Sequence, residues 1–412
     1  MTTWQVVRLK NLCIDAGQYG IGIASDSYVD SGTRLLRTTD ISSGSLTPAE
    51  QGVFVADPPS ERYTLRAGDL LLSRSGTPPG QSYLVRASDQ GATFAGYLVR
   101  FRPRHEVDPK FLSYIARSTP FQHTIHSESV ASTIQNFNAE RYANIEFRVP
   151  GYSEQCRIAE FLDTEIARID RLKQLDTKLL ALLTERRQAI IDHVVDTSST
   201  SLVKLFWRLN LLRDGTHQPP PRVATGVPLL TARNVASGSV TLTNMDTHVS
   251  EKDATLLEKS ILLTPGDVLL SVKGTVGASA VTPPSFPRAV LDRNVALLRP
   301  RGYSSEWLNY VLSSTSLQQQ MRLSVTAVAQ PGLPLGAIRE LRVPDATSHV
   351  QVAGVSRIST TCSEIDRIVA RVQRKDAVLH ERRQALITAA VTGQFDVSTA
   401  SGRNVTDGVP TS

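Results

Sequence analysis

The stretch "ERRQAIIDHVVD" begins at Glu185 and "ERRQALITAAVT" at Glu381, 381 − 185 = 196 residues apart in a chain of 412. Upstream of each copy the two halves stay in register. "GTRLLRTTDISSGSL" (32–46) matches "GVPLLTARNVASGSV" (226–240), and "RAGDLLLSRSG" (66–76) matches "TPGDVLLSVKG" (264–274). "YLVRFRP" (97–103) matches "NVALLRP" (294–300), "KFLSYIARST" (110–119) matches "EWLNYVLSST" (306–315), and "FRVP" (147–150) matches "LRVP" (341–344). One such block is within reach of chance, but all of them in one order are not. The chain is two copies of one unit, so any architecture proposed for one half must serve the other.

Each unit opens with about 150 residues of short β-type runs broken by Gly, Pro, Asp and Ser. "DLLLS" and "DVLLSV" each follow a Gly-Asp pair, the pattern of a buried strand entered from a tight turn. "PKFLSYIARS" and "SEWLNYVLSS" read as short helices with an aromatic-aliphatic face, so each unit should be a mixed α+β globule. The character then changes. Ser153 to Asp196 holds neither Gly nor Pro. Apolar residues recur there at helical spacing: Ile158, Leu162, Ile166, Ile169, Leu172, Leu175, Leu179, Leu183, Ile190 and Val194. The second copy offers Ile358, Cys362, Ile365, Ile368, Val372, Leu379, Leu386 and Ala390, and Gly393 is a plausible stop. A helix of roughly 40 residues spans roughly 60 Å, too long to fold back inside one small globule.

The expected fold is therefore α+β: two mixed α/β domains joined by two long antiparallel, coiled-coil-like helices, with an internal pseudo-two-fold repeat. The expected boundaries are a first domain at 1–152, a first spacer helix at 153–196, a second domain at 197–349, a second spacer helix at 350–396 and a disordered polar tail at 397–412. The net charge of +6 leans toward a polyanionic partner.

Catalytic signatures are missing. The chain has "DPPS", "TPPG" and "TPPS", none followed by the aromatic residue of an adenine methyltransferase motif, and Gly-Lys, needed for a P-loop, never occurs. His123 and His126 stand three apart without a third ligand, so no metal is expected, and no cofactor. Cys13, Cys156 and Cys362 are too few and scattered for a disulfide framework. The start "MTTWQVVRLK" lacks the layout of a signal peptide, and no run reaches a membrane span, which points to the cytoplasm.

The "GDLLLSRSG" and "GDVLLSVKG" strands, "EQCRIAEFLD" at the start of the first helix, both "ERRQA" turns and the closing "AAVTGQFDV" resemble the specificity subunit of type I restriction–modification systems, over roughly residues 1–396. The resemblance implies two target-recognition domains, each reading one half of a bipartite, asymmetric site in double-stranded DNA, with helices that fix the unread gap. It implies no chemistry in this chain. The partners implied are two adenine-methylating modification subunits and ATP-dependent restriction subunits. One departure stands out: opposite "EQCRIAEFLD" is only "VQVAGVSRIS" (350–359), so Gln155 is matched by Gln351 but Glu154 by nothing.

Side chains with paired donors and acceptors are the ones that read base edges. In the first domain the candidates are Arg37, Thr38 and Thr39 after Leu35–Leu36, Arg74 and Ser75 after "DLLLS", with Thr77 beside them. In the second they are Arg233 and Asn234 after Leu229–Leu230, and Lys273 with Thr275. "SGT" and "KGT" also suit close approach of backbone N–H groups to a phosphate. Gln135 and Gln330 are further candidates, each as readily tying its own turn. For docking partner subunits the candidates are Glu154, Gln155, Gln351 and the arginine pairs Arg186–Arg187 and Arg382–Arg383. Ordinary solvated charge is the competing account of those arginines. The rival to a DNA reader is a coiled-coil protein-interaction scaffold without DNA specificity. Its binding would resist salt, whereas phosphate-driven binding weakens steeply. A metal-dependent nuclease is the third reading.

Overall fold

A computed structural model describes residues 4–42, 44–56, 60–76, 79–130, 136–216, 218, 220–235, 239–243, 245–325 and 332–397. The chain divides into two compact units: residues 1–176 with 374–412, and residues 177–373. Each contains one mixed α/β globule and a segment from each of two long helices, Tyr152–Asp196 and Ser348–Val391.

In the first unit a four-stranded antiparallel sheet runs in the order Gln18–Tyr19, Leu98–Phe101, Leu70–Ser73, Ser82–Leu84. A second sheet sets Thr33–Leu36 between antiparallel Val53–Val55 and parallel Thr93–Phe94. Gln5–Arg8 pairs with Glu146–Val149. The second unit repeats this. Its four-stranded sheet is Leu209–Asp214, Val295–Pro300, Val268–Ser271, Ser279–Val281, and Val227–Leu230 again has a parallel neighbour, Val290–Leu291. Leu202–Lys204 pairs with Arg342–Pro344.

The residues that repeat in sequence build these strands. In Leu70–Ser73 every residue is buried: Leu70 and Leu72 join one apolar cluster and Leu71 another, so the strand is covered on both faces. Val268, Leu269 and Leu270 do the same in the second unit. Gly68 has φ +90°, a turn conformation that glycine adopts without strain, and it delivers Asp69 to the strand start. Asp69, 1% exposed, accepts from Arg102 Nε and Nη2, both at 2.7 Å, and from the Arg66 backbone N–H at 2.8 Å. Asp267 holds Arg299 in the same way, at 2.7 and 2.8 Å. The "GD" and "RP" blocks are thus the two halves of one buried clamp.

The long helices are 45 and 44 residues. Within the first unit their segments run antiparallel: Arg383 Nη1 donates to Asp170 Oδ1 at 3.0 Å, and Lys375 Nζ to Asp176 Oδ1 at 2.6 Å. Ile158, Leu162, Ile166 and Ile169 join Leu379, Leu386, Ile387, Ala390 and Val391 in one core with Phe111, Leu112 and Ile115 of the short helix Pro109–Arg117. Gly393, φ +75°, stands just past the helix end. In the second unit, Ile191, Val194, Val195, Ile358 and Cys362 pack with Trp307 and Leu308 of Ser305–Ser313. The expected apolar stripe breaks in its middle, because Leu172, Leu175 and Leu179 are 42%, 47% and 38% exposed.

Candidate nucleic-acid interface

Of the strand-end residues singled out in the sequence, Thr39, Arg233 and Thr275 are exposed, Arg37, Thr38, Arg74, Ser75 and Lys273 are half-buried, and Asn234 is buried. Arg37 precedes a tight turn, Thr38–Asp40, and its guanidinium grips buried Asp40 through Nε at 3.1 Å and Nη2 at 2.8 Å. That hydrogen bond raises the Arg37 pKa above its ordinary value, so the charge is permanent but already paired. Thr38 is half-buried and Thr39 is exposed.

Asn234 occupies the place of Asp40 and is 3% exposed. Its Oδ1 accepts from Thr231 N at 2.8 Å and from Thr231 Oγ1 at 3.0 Å, and its Nδ2 donates to the Thr241 carbonyl at 2.9 Å. Asn234 is buried and holds a turn through these contacts, which speaks against the base-reading role expected of it. Its neighbour Arg233 is exposed.

Arg74 lies over the Tyr19 ring, 5.0 Å from guanidinium carbon to centroid, and its Nε donates to Asn136 Oδ1 at 3.2 Å. Ser75 pairs with Asn136, and Lys273 pairs with Gly332 in the same way. The backbone shows that Arg74 and Lys273 are not counterparts. Phe137 N donates to the Arg74 carbonyl at 2.8 Å as Leu333 N does to that of Val272 at 2.9 Å. Lys273 stands where Ser75 stands, and buried Val272 takes the position of Arg74. Thr275 is exposed. Thr77, Gln135 and Gln330 lie outside the described residues, although Asn136 and Gly332, which follow close after the last two, meet the candidate strand ends.

The docking candidates divide as well. Gln155 and Gln351 are each 3% exposed. Gln155 Oε1 accepts from Asp108 N at 3.0 Å and its Nε2 donates to the Pro150 carbonyl at 3.0 Å. Gln351 takes the N–H of Ser304 at 2.9 Å and gives to the Gly302 and Ala346 carbonyls, both at 2.9 Å. Asp108 and Ser304 cap the short helices through Phe111 N at 2.7 Å and Trp307 N at 3.1 Å. Each glutamine therefore ties a long helix to its own globule from a buried position, which speaks against the docking role expected from sequence. Glu154 is half-buried.

In the "ERRQA" turns the second arginine crosses between helix segments. Arg187 donates to Asp366 at 2.8 and 3.2 Å, as Arg383 does to Asp170. The following glutamine anchors the globule: Gln188 Nε2 reaches the Ser313 carbonyl at 3.0 Å and Gln384 Nε2 that of Arg117 at 2.8 Å. The first arginines differ, Arg186 exposed and Arg382 half-buried.

Sequence reasoning missed Tyr19, Asn136, and the pair Gln122 and Gln318. Gln122 Nε2 donates to the Gly80 carbonyl at 3.0 Å and Gln318 Nε2 to that of Gly277 at 2.8 Å, closing the loop after the buried strand. Their spacing of 318 − 122 = 196, equal to that of the "ERRQA" copies, was a usable signal. Among the described residues no cluster of His, Cys, Asp and Glu could hold a metal, and no helix is long and apolar enough to cross a membrane.

Residues 1–181 match the family model of the type I restriction modification DNA specificity domain. The type I restriction enzyme EcoKI specificity subunit of Escherichia coli (strain K12) is 22% identical over 408 residues, 92% of this chain and 85% of that protein. The EcoBI specificity subunit of Escherichia coli is 22% identical over 300 residues, 66% of this chain and 63% of that one. Among solved structures, a chain from a type I R-M system studied for complex assembly and conformational transition shares the fold with a TM-score of 0.71 at 17% identity, over 96% of this chain and 100% of that one. The HsdS subunit from Thermoanaerobacter tengcongensis gives 0.53 at 18% identity, over 95% and 97%. Residues 1–181 thus match the specificity-domain model and residues 177–373 repeat the four-stranded sheet of the matched part, so the chain is similar over nearly its whole length to specificity subunits of type I restriction–modification systems.

Proposed function

We propose that this chain reads a bipartite, asymmetric site in double-stranded DNA, one half with residues 1–152 and the other with 197–349. Helices 153–196 and 350–396 set the unread gap. It would work in the cytoplasm, docked to two adenine-methylating modification subunits and, for cleavage, to ATP-dependent restriction subunits. The chain is not itself an enzyme.

One observation carries the reading. The order of the four-stranded antiparallel sheet and the buried clamps are the same in both units, while the residues at strand ends differ: Thr39 against Arg233, Arg74 against Val272, Ser75 against Lys273. A shared frame with dissimilar tips suits two readers of dissimilar sequences, because base contacts specify whereas phosphate contacts only position. Arg37, Thr38, Thr39, Arg74, Ser75, Thr77, Gln135, Arg233, Lys273, Thr275 and Gln330 are the side chains proposed to face DNA. Glu154, Arg186 and Arg382 are those proposed to face a partner.

Selection from a randomised duplex pool with the chain co-purified with its modification subunits tests this. Two short motifs at a fixed gap are expected, and exchanging residues 197–349 for another recognition domain should change only one of them. Retention without any motif, undiminished at high salt, would instead establish the protein-scaffold account.

A further inference from the structure

Arg74, Tyr19 and Asn136 form a cluster that the second unit lacks in all three members. Gly20 N donates to the Leu98 carbonyl as Gly215 N donates to that of Val295, which sets Asp214 opposite Tyr19. Val272 stands opposite Arg74 and Gly332 opposite Asn136. The backbone hydrogen bonds around the three positions survive; only the side chains are exchanged. The structural pairs behave otherwise, since Asp69–Arg102, Gln122–Gly80 and Gln155–Asp108 all recur in the second unit. A group needed for the common frame, or for a phosphate contact shared by two half-sites, would be expected in both copies. This cluster is in one.

Its geometry is that of a guanidinium held in a fixed plane. Tyr19 supports the flat face, and its own hydroxyl accepts from Ala139 N at 2.9 Å, so the ring is itself pinned. Asn136 Oδ1 takes the Nε proton, which fixes rotation about the side-chain axis. Among the described residues the two terminal nitrogens have no hydrogen-bond partner and Arg74 has no carboxylate partner, unlike Arg37, Arg100, Arg102 and Arg299. A neutralising phosphate needs only a point charge, which a mobile lysine supplies as well. A rigid fork with two parallel N–H donors matches two acceptors side by side, and on a base edge in the major groove that pair is guanine O6 and N7.

We infer that Arg74, oriented by Tyr19 and Asn136, reads a guanine in the half-site of the first unit, and that the second unit has no counterpart to this contact. The inference rests on the reading of the chain as a DNA specificity subunit. It is tested by motif selection with the full chain and its modification subunits, comparing the parent with Arg74→Lys and Arg74→Ala. The parent should select two motifs. In Arg74→Lys, which keeps the charge and the stem but loses the fork, the preference for guanine at one position of one motif should fall by roughly 5- to 150-fold, with the other motif intact. Arg74→Ala should do the same and bind more weakly. The lysine variant decides the matter if the alanine variant fails to fold. Unchanged base preferences in Arg74→Lys, or a loss of affinity equal for all sequences in both variants, would make Arg74 a phosphate contact and overturn this inference alone. A parent that selects no motif would overturn the underlying reading and this inference with it.

Discussion

Gln351 makes three hydrogen bonds to backbone groups of its own unit from a buried position, so its replacement removes more than its own contacts. Gln351→Leu fills similar space but takes this partner from the N–H of half-buried Ser304 and the carbonyl of buried Ala346, while the carbonyl of exposed Gly302 can turn to water. Buried groups left in that condition cost about 1–3 kcal/mol each in the general case. The variant should lose about 2–4 kcal/mol in urea unfolding, and a loss below about 0.5 kcal/mol would mean that water replaces the side chain. Cys13 gives a second prediction. Burial, with Asp15 next, pushes its thiol up to about 12 from an ordinary 9.0. The folded pKa is raised, so the stabilisation is complete below about pH 9 and is lost as pH climbs from about 9 to about 12. Cys13→Ala should flatten that alkaline fall, read as the pH dependence of unfolding free energy against the parent. Below pH 9 the Cys13 thiol should also resist modifying reagents that reach half-buried Cys156. At this scale the sequence misleads in a specific way. A glutamine at a helix start, or an asparagine at a strand end, looks free until the backbone segment that returns to it is known. That segment lies four dozen residues away for Gln155 and Gln351, and is a local turn for Asn234.

Elements are more predictable than their faces. Both long helices are present, Tyr152–Asp196 and Ser348–Val391, the second ending five residues before the expected 396, and the buried strands and short helices fall on the runs that the sequence singled out. Periodicity alone does not say which part of a stripe finds a neighbour, and Leu172, Leu175 and Leu179 find little. The meeting of helices with globules is a matter of volume, and the two units solve it differently. Trp307 and Gly354 of the second unit stand where Phe111 and Ile158 stand in the first. A Cβ at Gly354 would come within 2.6 Å of Trp307 Cζ3 and 3.2 Å of Val194 Cγ1. Helix propensity favours alanine over glycine by about 1 kcal/mol, yet overpacking a core typically costs about 1–3 kcal/mol, so the clash should win. Gly354→Ala is expected to lower Tm, Trp307→Phe to lower it through a cavity, and the double variant to recover part of both. Strict additivity in that cycle would refute the pairing. The Arg187–Asp366 bridge, with side chains 45% and 54% exposed, should matter little to stability. Arg187→Ala is expected to cost less than about 1 kcal/mol.

At the scale of the molecule the repeat was readable from the sequence because it needs only order and interval. What the repeat hides is which segments close which core. Residues 374–397 complete the unit that begins at the N-terminus: Leu379, Leu386, Ile387, Ala390 and Val391 share a core with Leu9, Phe111 and Ile158. A Cβ on Gly393 would meet the Trp4 ring at 3.2 Å. A chain stopped after Gln373 should therefore keep the unit of residues 177–373 and expose the other, seen as rapid proteolysis confined to residues 1–176. Equal resistance of both units in that truncation would contradict the shared core. The same feature bears on synthesis. The first unit emerges from the ribosome early yet waits for 197 further residues, those of 177–373, before its last helix segment exists. At roughly 5–20 residues per second that interval is on the order of 10–40 s, during which apolar faces of Ile158, Leu162 and Ile166 have no covering helix. A chain cut short therefore leaves the core of its first unit without Leu379, Leu386 and Ile387, so an interrupted synthesis should yield a product whose N-terminal part is the first to be cleaved.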